Sequence, residues 1–180
     1  MSNNTDNNSI SKRKIAGSYL LAILSFVILV LIDQISKFYI TSTMMLHDAI
    51  PVIDDVFEIH YIQNRGAAWG LFENQQLLFI ICTIIACIFG IIFYIKCVNS
   101  NALKALQICI ILILSGAIGN FIDRVSYQYV IDFLYFKLID FPVFNIADCY
   151  VTVGFFVTVI LILFIYKEAD LEVLSFKKKS

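Results

Sequence analysis

Two aspartates, Asp132 and Asp148, lie where the chain is otherwise apolar. Two carboxylates a few ångströms apart resist ionising together, so one keeps its proton while the other can accept a proton from water. If the fold brings them together, such a pair can act as a general acid and a general base. Each residue also has a structural interpretation. Asp148 falls three residues after a candidate helix cap, Asn145, and Asp132 could point outwards from a half-buried strand.

Four more ionisable residues lie at the ends of apolar segments: Asp33, Lys37, Asp123 and Arg124. Charged groups near a membrane interior are costly and are therefore candidates for function. Asp33 and Lys37 are spaced i, i+4 and could simply pair on one helix face, while Asp123 and Arg124 could end a span with a salt bridge. No acid falls in the middle of a span. The pattern indicates a polar site at one membrane interface and not a proton path through the bilayer.

Two segments of small residues could let the backbone approach another group closely. Asn64–Gly70 is typical of a tight turn, or is an ordinary loop. Gly116–Gly119 is typical of a close contact between helices. The 2 His and 5 Cys share no ligand spacing, which argues against a zinc site or a disulfide framework. Cys149 has no His near it in the sequence, so we do not expect it to be a nucleophile.

The composition predicts a membrane protein. Of 180 residues, 60% are hydrophobic and 15% are charged, and the mean hydropathy is +0.85. So few charges cannot cover a water-soluble globule, and a net charge of −1 offers no basic surface for nucleic acid. Four apolar segments are long enough to cross about 30 Å of hydrocarbon. They are residues 15–32 (continuing as helix towards 40), 77–95, about 105–122 and about 148–166.

The distribution of Lys and Arg predicts the orientation. One set of segments carries Lys12, Arg13, Lys14, Lys96, Lys104, Lys167, Lys177, Lys178 and Lys179, and the other carries Lys37, Arg65, Arg124 and Lys137. The positive-inside rule then puts both termini in the cytoplasm. The first run could be mistaken for a signal peptide, but it exceeds the usual apolar length and ends in Asp33-Gln34, so we interpret it as a retained span.

The chain is predicted to have three parts. Residues 1–14 form a disordered basic cytoplasmic tail, 15–166 a single four-helix transmembrane domain, and 167–180 a basic cytoplasmic tail. The segments outside the membrane are 41–76 and 123–147. Within them, residues 56–62 and 129–136 are rich in β-branched and aromatic residues and favour strands. We therefore expect a small sheet on the membrane surface.

Five motifs, in order along the chain, resemble those of the bacterial lipoprotein signal peptidases (signal peptidase II). They are Asp33–Lys37, Asn64–Trp69, Gly116–Arg124, Val130–Phe133 and Phe144–Asp148. Any one of them is a weak signal, but five in order together with four spans are specific. The resemblance implies a mainly α, polytopic membrane protein, with four transmembrane helices and a small extracytoplasmic β-sheet.

The resemblance also implies an aspartyl endopeptidase that needs no metal and no cofactor. It would remove the signal peptide from diacylglyceryl-modified prolipoproteins by cutting N-terminal to the lipidated Cys. Asp132 and Asp148 take the catalytic positions. The substrate-binding or supporting positions fall on Asn64, Gly66, Arg124, Asn145, Asn120, Asp33, Lys37 and Asp123.

The partners implied are prolipoproteins and membrane lipids, with no nucleic acid, and a single chain is sufficient because it contains both aspartates. The implied location is the bacterial cytoplasmic (inner) membrane, with the active site at the extracytoplasmic face. Trp69 and Phe72 suit an interfacial aromatic belt. Because the N-terminus of a helix favours negative charge, we expect Asp148 to be the ionised member of the pair and Asp132 to hold the proton.

The sequence departs from the family pattern at Cys149, where Ser is usual, at Ser115, where Gly is common, and at Gly70, where Ser is frequent. None of these touches the two aspartates. Two other functions predict different features. A small transporter would have acids at the midplane and helix breaks within spans, whereas both prolines, Pro51 and Pro142, lie outside them. A non-enzymatic adaptor would keep its function in an Asp132→Asn variant.

Overall fold

The computed structural model describes residues 2–66 and 75–175, with residues 2–14 as backbone only. Trp69 and Phe72 lie outside these ranges. Four long helices dominate: α1 (Ser2–Thr43), α2 (Gln76–Cys97), α3 (Lys104–Tyr127) and α4 (Ile146–Ile160), the last extended by a π-helical turn over Leu161–Ile165. Each contains a segment long and apolar enough to cross a membrane, which confirms the four predicted spans.

The backbone of residues 2–14 is helical, which differs from the disorder predicted for this segment. The sequence predicts a disordered tail there, whereas α1 begins at Ser2. Extending an existing helix adds one hydrogen bond for each residue fixed and avoids the cost of a new nucleus. No Pro or Gly interrupts the segment, so the helix of the first span continues into it.

A three-stranded antiparallel sheet, in the order β1-β2-β3, covers one end of the bundle. Its strands are β1 (Ala49–Ile53), β2 (Phe57–Asn64) and β3 (Val130–Tyr135). β2 and β3 match the two predicted strands to within two residues at each end. Their register pairs Asn64 with Val130 and Ile62 with Asp132. The sheet therefore brings the end of β2 beside the strand that carries Asp132.

The edge strand β1 was not predicted. Its sequence, Ala-Ile-Pro-Val-Ile, has no polar alternation, and Pro51 is tolerated because an edge strand need not donate from every N–H. Every residue of β1 is exposed. An exposed apolar strand of this kind is typical of a surface that lipid covers.

Helix α3 lies at the centre of the bundle and packs against the other three long helices. Gly116 allows the closest approach, because a Cβ there would overlap the backbone carbonyl oxygen of Ala147 on α4. At Gly119 a Cβ would lie 2.5 Å from Oδ2 of Asp33 on α1. The predicted close helix contact at Gly116–Gly119 is confirmed.

The end of the bundle opposite the sheet is closed by the C-terminal segment. α5 (Glu168–Leu171) and a 3-10 turn (Glu172–Leu174) follow α4, and Leu171 and Leu174 pack on a buried cluster that includes Tyr94 and Leu106. Lys96 Nζ donates to the carbonyl oxygens of Leu174 and Ser175. The first half of the predicted tail at 167–180 is therefore folded against the bundle.

Candidate active site

Asp132 points into the protein from β3. It is 1% exposed. Its two carboxylate oxygens accept hydrogen bonds from Nδ2 of Asn145 (2.7 Å) and Nδ2 of Asn64 (2.8 Å). Burial, and then the charge of the nearby Asp148, raise the pKa of Asp132 to about 7, against the two amide bonds that favour its charged form. The alternative that Asp132 points outwards from the strand is wrong.

Asp148 lies in the first turn of α4 and completes a capping box there. Asn145 Oδ1 accepts from the backbone N–H of Asp148 (3.0 Å), and Asp148 Oδ2 accepts from the backbone N–H of Asn145 (3.1 Å). The structural interpretation of Asp148 is thus confirmed. The other oxygen, Oδ1, accepts from Nδ2 of Asn120 on α3 at 2.7 Å. The cap therefore holds this carboxylate in place and leaves it beside the groups of α3.

Asn145 connects the two aspartates. Its side chain is fully buried, and its nitrogen donates to Asp132 Oδ1 and to Asn120 Oδ1 (2.9 Å). Its oxygen and its backbone N–H are the partners of Asp148 in the capping box. One residue therefore fixes the position of Asp132 and Asp148 relative to each other.

Behind this pair lies a buried ion cluster that joins α1 to α3. Lys37, 1% exposed, forms salt bridges with Asp33 (3.0 Å) and Asp123 (2.9 Å), both fully buried. Lys37 Nζ also donates to Asn120 Oδ1 at 2.9 Å. Buried charges are stable only when paired and hydrogen-bonded. The predicted i, i+4 pair of Asp33 and Lys37 exists, and Asp123 is a second carboxylate bound to the same ammonium group. Asp123 pairs with Lys37 and not with its neighbour Arg124.

The two acids of the cluster also bind the backbone directly beside each candidate catalytic residue. Asp33 Oδ1 accepts from the N–H of Ala147, which precedes Asp148 (3.0 Å). Asp123 Oδ2 accepts from the N–H of Ile131, which precedes Asp132 (3.1 Å). The ion cluster therefore fixes the start of α4 and the strand β3 at the positions where the two aspartates emerge.

Gln34 belongs to the same network, although the sequence did not predict it. Its Nε2 atom donates to Asp33 Oδ2 (3.0 Å), to Asp123 Oδ1 (3.1 Å) and to the carbonyl oxygen of Gly119 (3.1 Å). The available signal was an amide inside the Asp33–Lys37 motif of an otherwise apolar helix.

A cavity of about 520 Å³ opens in front of the aspartates. Its polar lining is formed by the side chains of Asn64, Asn120, Arg124, Asp132 and Asp148, together with Gly66. The remaining walls are mostly apolar, from residues 141–144 on one side and from α4 at Thr152 and Val153 on the other. Such a cavity suits an apolar ligand with a peptide bond at its polar end.

All the site residues expected from the sequence come together in this region. Six line the cavity, and Asn145, Asp33, Lys37 and Asp123 form the hydrogen-bonded network behind it. His47 and His60 are not among the lining residues. In the part of the chain that the structure describes, no three His, Cys, Asp or Glu side chains cluster as metal ligands would. Chemically, the arrangement offers two adjacent carboxylates in different surroundings, with amide donors and one guanidinium.

Four spans with a polar, carboxylate-bearing site under a small sheet fit a membrane-embedded hydrolase of the aspartic type. Residues 25–164 match the family model described as signal peptidase (SPase) II. The chain is 39% identical over 150 residues to lipoprotein signal peptidases of Streptococcus pyogenes serotype M5 (strain Manfredo) and serotype M18 (strain MGAS8232), covering 83% of this chain and 95% of each relative.

Two solved bacterial membrane enzymes, determined in meso, share the fold. One, at 2.3 Å resolution, gives a TM-score of 0.71 at 34% identity, over 89% of this chain and 94% of the other. The second, at 1.9 Å, gives 0.69 at 36% identity, over 80% and 93%. The chain belongs to the signal peptidase II family. It is therefore a multi-pass membrane peptidase of the kind that removes signal peptides from prolipoproteins.

Proposed function

We propose that Asp132 and Asp148 are the catalytic dyad of this peptidase. The observation that supports the proposal is that Asn145 binds both carboxylates at the wall of one cavity. Asp132 is the deeper of the two and Asp148 the more exposed. Two carboxylates in such different surroundings share a proton unequally, which is the arrangement that acid–base hydrolysis requires.

In this mechanism Asp148 is the base. It lies at the N-terminus of α4, and its oxygens accept from a backbone N–H and from Asn120, all of which favour negative charge. Asp148 takes a proton from the attacking water, while Asp132 donates its proton to the scissile carbonyl oxygen. Asp148 then gives its proton to the leaving amine and Asp132 takes back a proton from a hydroxyl group of the tetrahedral intermediate, so the C–N bond breaks and the starting protonation state returns.

The substrate proposed is a diacylglyceryl-modified prolipoprotein, cut N-terminal to the lipidated Cys. Thr152 and Val153 continue the cavity along α4, away from the sheet and into the apolar span. Acyl chains on the Cys can therefore stay in hydrocarbon while the peptide bond reaches the aspartates. Arg124, which lines the same cavity and always carries its charge, supplies donors for substrate carbonyl groups.

The orientation proposed places both termini in the cytoplasm and the sheet on the extracytoplasmic face, as the positive-inside rule predicts. Large apolar side chains are exposed on β1 (Ile50 and Val52) and on the 3-10 turn Lys137–Ile139 (Leu138 and Ile139). These residues would contact lipid at the membrane surface. Both aspartates come from one chain, so a monomer is sufficient.

The test is cleavage of a prolipoprotein by purified protein in detergent, followed by the mobility shift on a gel. Asp132→Asn and Asp148→Asn should each reduce cleavage by about 10³-fold or more, because neither retains an acid–base pair. An unlipidated twin of the substrate should not be cut by the wild type. Thermal stability and membrane yield of the variants serve as the control for folding. Cleavage at the wild-type rate by either variant would refute the dyad assignment.

A further inference from the structure

Arg124 lines the cavity, and few of the described residues hold its side chain in place. Its guanidinium group makes one long hydrogen bond, from Nη1 to the carbonyl oxygen of Asn120 at 3.5 Å. Within the described residues it forms no salt bridge. A guanidinium has five N–H donors in a rigid plane. Most of them are therefore unused by the rest of the described chain, and the position of that plane must be set in another way.

The face of Phe79 on α2 provides that support. The guanidinium carbon of Arg124 lies 4.7 Å from the centre of the Phe79 ring. A cation over an aromatic face at this distance is attracted by the ring electrons, more strongly where water is excluded. The contact holds the guanidinium group against the ring, and apart from the bond to Asn120 its N–H groups have no hydrogen-bond acceptor among the described residues.

A second residue of α2, on the same helix face as Phe79, contacts the segment that follows β2. Gln76, buried and three residues before Phe79, donates from Nε2 to the carbonyl oxygen of Arg65 at 2.6 Å. Residues three apart on a helix lie on one face. Arg65 joins Asn64 to Gly66, and the Gly66 N–H donates to Asn64 Oδ1 at 2.9 Å. This fixes Asn64, whose amide nitrogen donates to Asp132.

We propose that the first turn of α2 is a positioning element of the active site. Phe79 sets the plane of Arg124 for the carbonyl groups of the substrate, and Gln76 holds the end of β2 so that Asn64 faces Asp132. Neither residue lines the cavity, and neither belongs to the five sequence motifs. The inference rests on the proposed function, because it assigns supports to two groups of the proposed site.

The test of Phe79 is a double-mutant cycle with Arg124. Phe79→Leu should raise KM about 5- to 30-fold with a smaller change in kcat, since it removes a desolvated cation–π contact. In an Arg124→Gln background, where no cation faces the ring, the same substitution should change KM less than about twofold. Phe79→Tyr keeps the aromatic face and should stay within about twofold of wild type. Phe89→Leu, on the exposed side of the same helix, is the matched control.

The test of Gln76 is its effect on kcat. Gln76→Leu should lower kcat about fivefold and displace the pH dependence of kcat, since Asn64 would no longer be held against Asp132. Besides Asn64, the groups that face Asp132 are Asp148 and Asn145 from the start of α4, Lys37 from α1 and Arg124 from α3. Gln75→Leu, at the exposed neighbouring position, should leave kcat and its pH dependence unchanged.

Two outcomes would overturn the inference. One is that Phe79→Leu raises KM by the same factor in the wild type and in the Arg124→Gln background, accompanied by lower thermal stability, which would show that Phe79 only contributes packing. The other is an unchanged pH profile in a well-folded Gln76→Leu variant. Failure of the proposed function is distinguishable, because then Asp132→Asn itself would still cleave.

Discussion

The neighbours of Asn120 fix the orientation of its side-chain amide. That orientation decides whether Asp148 faces the amide nitrogen or the amide oxygen. Its oxygen accepts from Lys37 and from Asn145, which are both donors. The nitrogen must therefore face Asp148, 2.7 Å away. If the amide were reversed, its N–H₂ would oppose two donors and its oxygen would oppose a carboxylate. Lys37 thus acts on Asp148 through Asn120, as well as through its charge.

The pKa of Asp132 predicts how cleavage depends on pH. Since burial and Asp148 raise this pKa to about 7, Asp132 keeps its proton below about pH 7 and loses it above. A mechanism that needs the proton on Asp132 therefore gives a kcat that falls as the pH rises through about 7. Measurement of kcat between pH 5 and 9, flanking that value, checks this. A kcat that increases steadily up to pH 9 would show that Asp132 acts without its proton.

The same raised pKa predicts that Asp132 stabilises the folded protein less as the pH rises. A salt-bridged acid with a lowered pKa has the opposite effect. Asp132 in the unfolded chain ionises near pH 3.9, so between about pH 4 and 7 the folded state resists an ionisation that the unfolded state allows. The stabilising contribution of protonated Asp132 is full below pH 4 and is lost as pH rises through about 7. Between about pH 4 and 7, the melting temperature of the wild type should therefore fall relative to that of Asp132→Asn, which cannot ionise.

Among single residues, the sequence was most informative where a charged residue lies between apolar neighbours and has no charged partner nearby in the sequence. Asp132 could be singled out in this way, whereas Lys37 had a structural explanation in its pair with Asp33; both Asp132 and Lys37 are buried. Phe79 could not, because an aromatic residue in a span is ordinary. Its significance depends on the packing of α2 against α3, which no local pattern reports. Gln34 was similarly hidden, since an amide beside two charges gives no indication that it donates to three different acceptors.

At the scale of elements, apolar length was sufficient to place four helices, but the sheet needed pairing information. β2 and β3 were predicted from their β-branched and aromatic residues. β1 contains Pro51 and no alternation, and it becomes a strand because β2 offers a free edge. The close contact between α3 and α4 was predictable from small residues. That it lies at the first turn of α4, between the two residues of the capping box, was not.

Gly116 allows α3 to approach the first turn of α4, so its replacement should disturb the site. In Gly116→Ala the new methyl group would overlap the carbonyl oxygen of Ala147 and lie 2.7 Å from Cγ2 of Val151. Overpacking of this kind costs about 1–3 kcal/mol. We expect a lower melting temperature and reduced cleavage. Gly17→Ala, where a Cβ would meet nothing within 4 Å, is the control and should change neither. Equal behaviour of the two variants would contradict this packing role.

For the whole molecule, the bilayer explains why so little of the apolar surface is buried. Large side chains such as Leu21, Phe38 and Ile88 are more than half exposed, which in water would cause aggregation. The buried residues are instead concentrated around the ion cluster, under the sheet and at the opposite end. Packing within the membrane thus serves mainly to fix the polar site.

The orientation can be tested by labelling single cysteines in a cysteine-free variant. Asp54→Cys lies in the exposed β1–β2 turn, and a membrane-impermeant maleimide should label it on intact cells. Asn4→Cys and Ser175→Cys should be labelled only after the cells are opened. Retained cleavage of prolipoprotein shows that the background is native. Labelling of Asn4→Cys from outside would reverse the proposed topology.

The shared cluster of Asp33, Lys37 and Asp123 has a consequence for the order in which a newly made chain matures. The ribosome delivers the first span with an acid and a base one turn apart, so it can enter lipid as a neutral pair. Asp123 joins only with the third span. The last partner, the Ala147 N–H, arrives on the helix that also brings Asp148. An unfinished copy left in the membrane therefore lacks the complete pair of Asp132 and Asp148, and under the proposed mechanism peptide-bond cleavage begins only with the final insertion step.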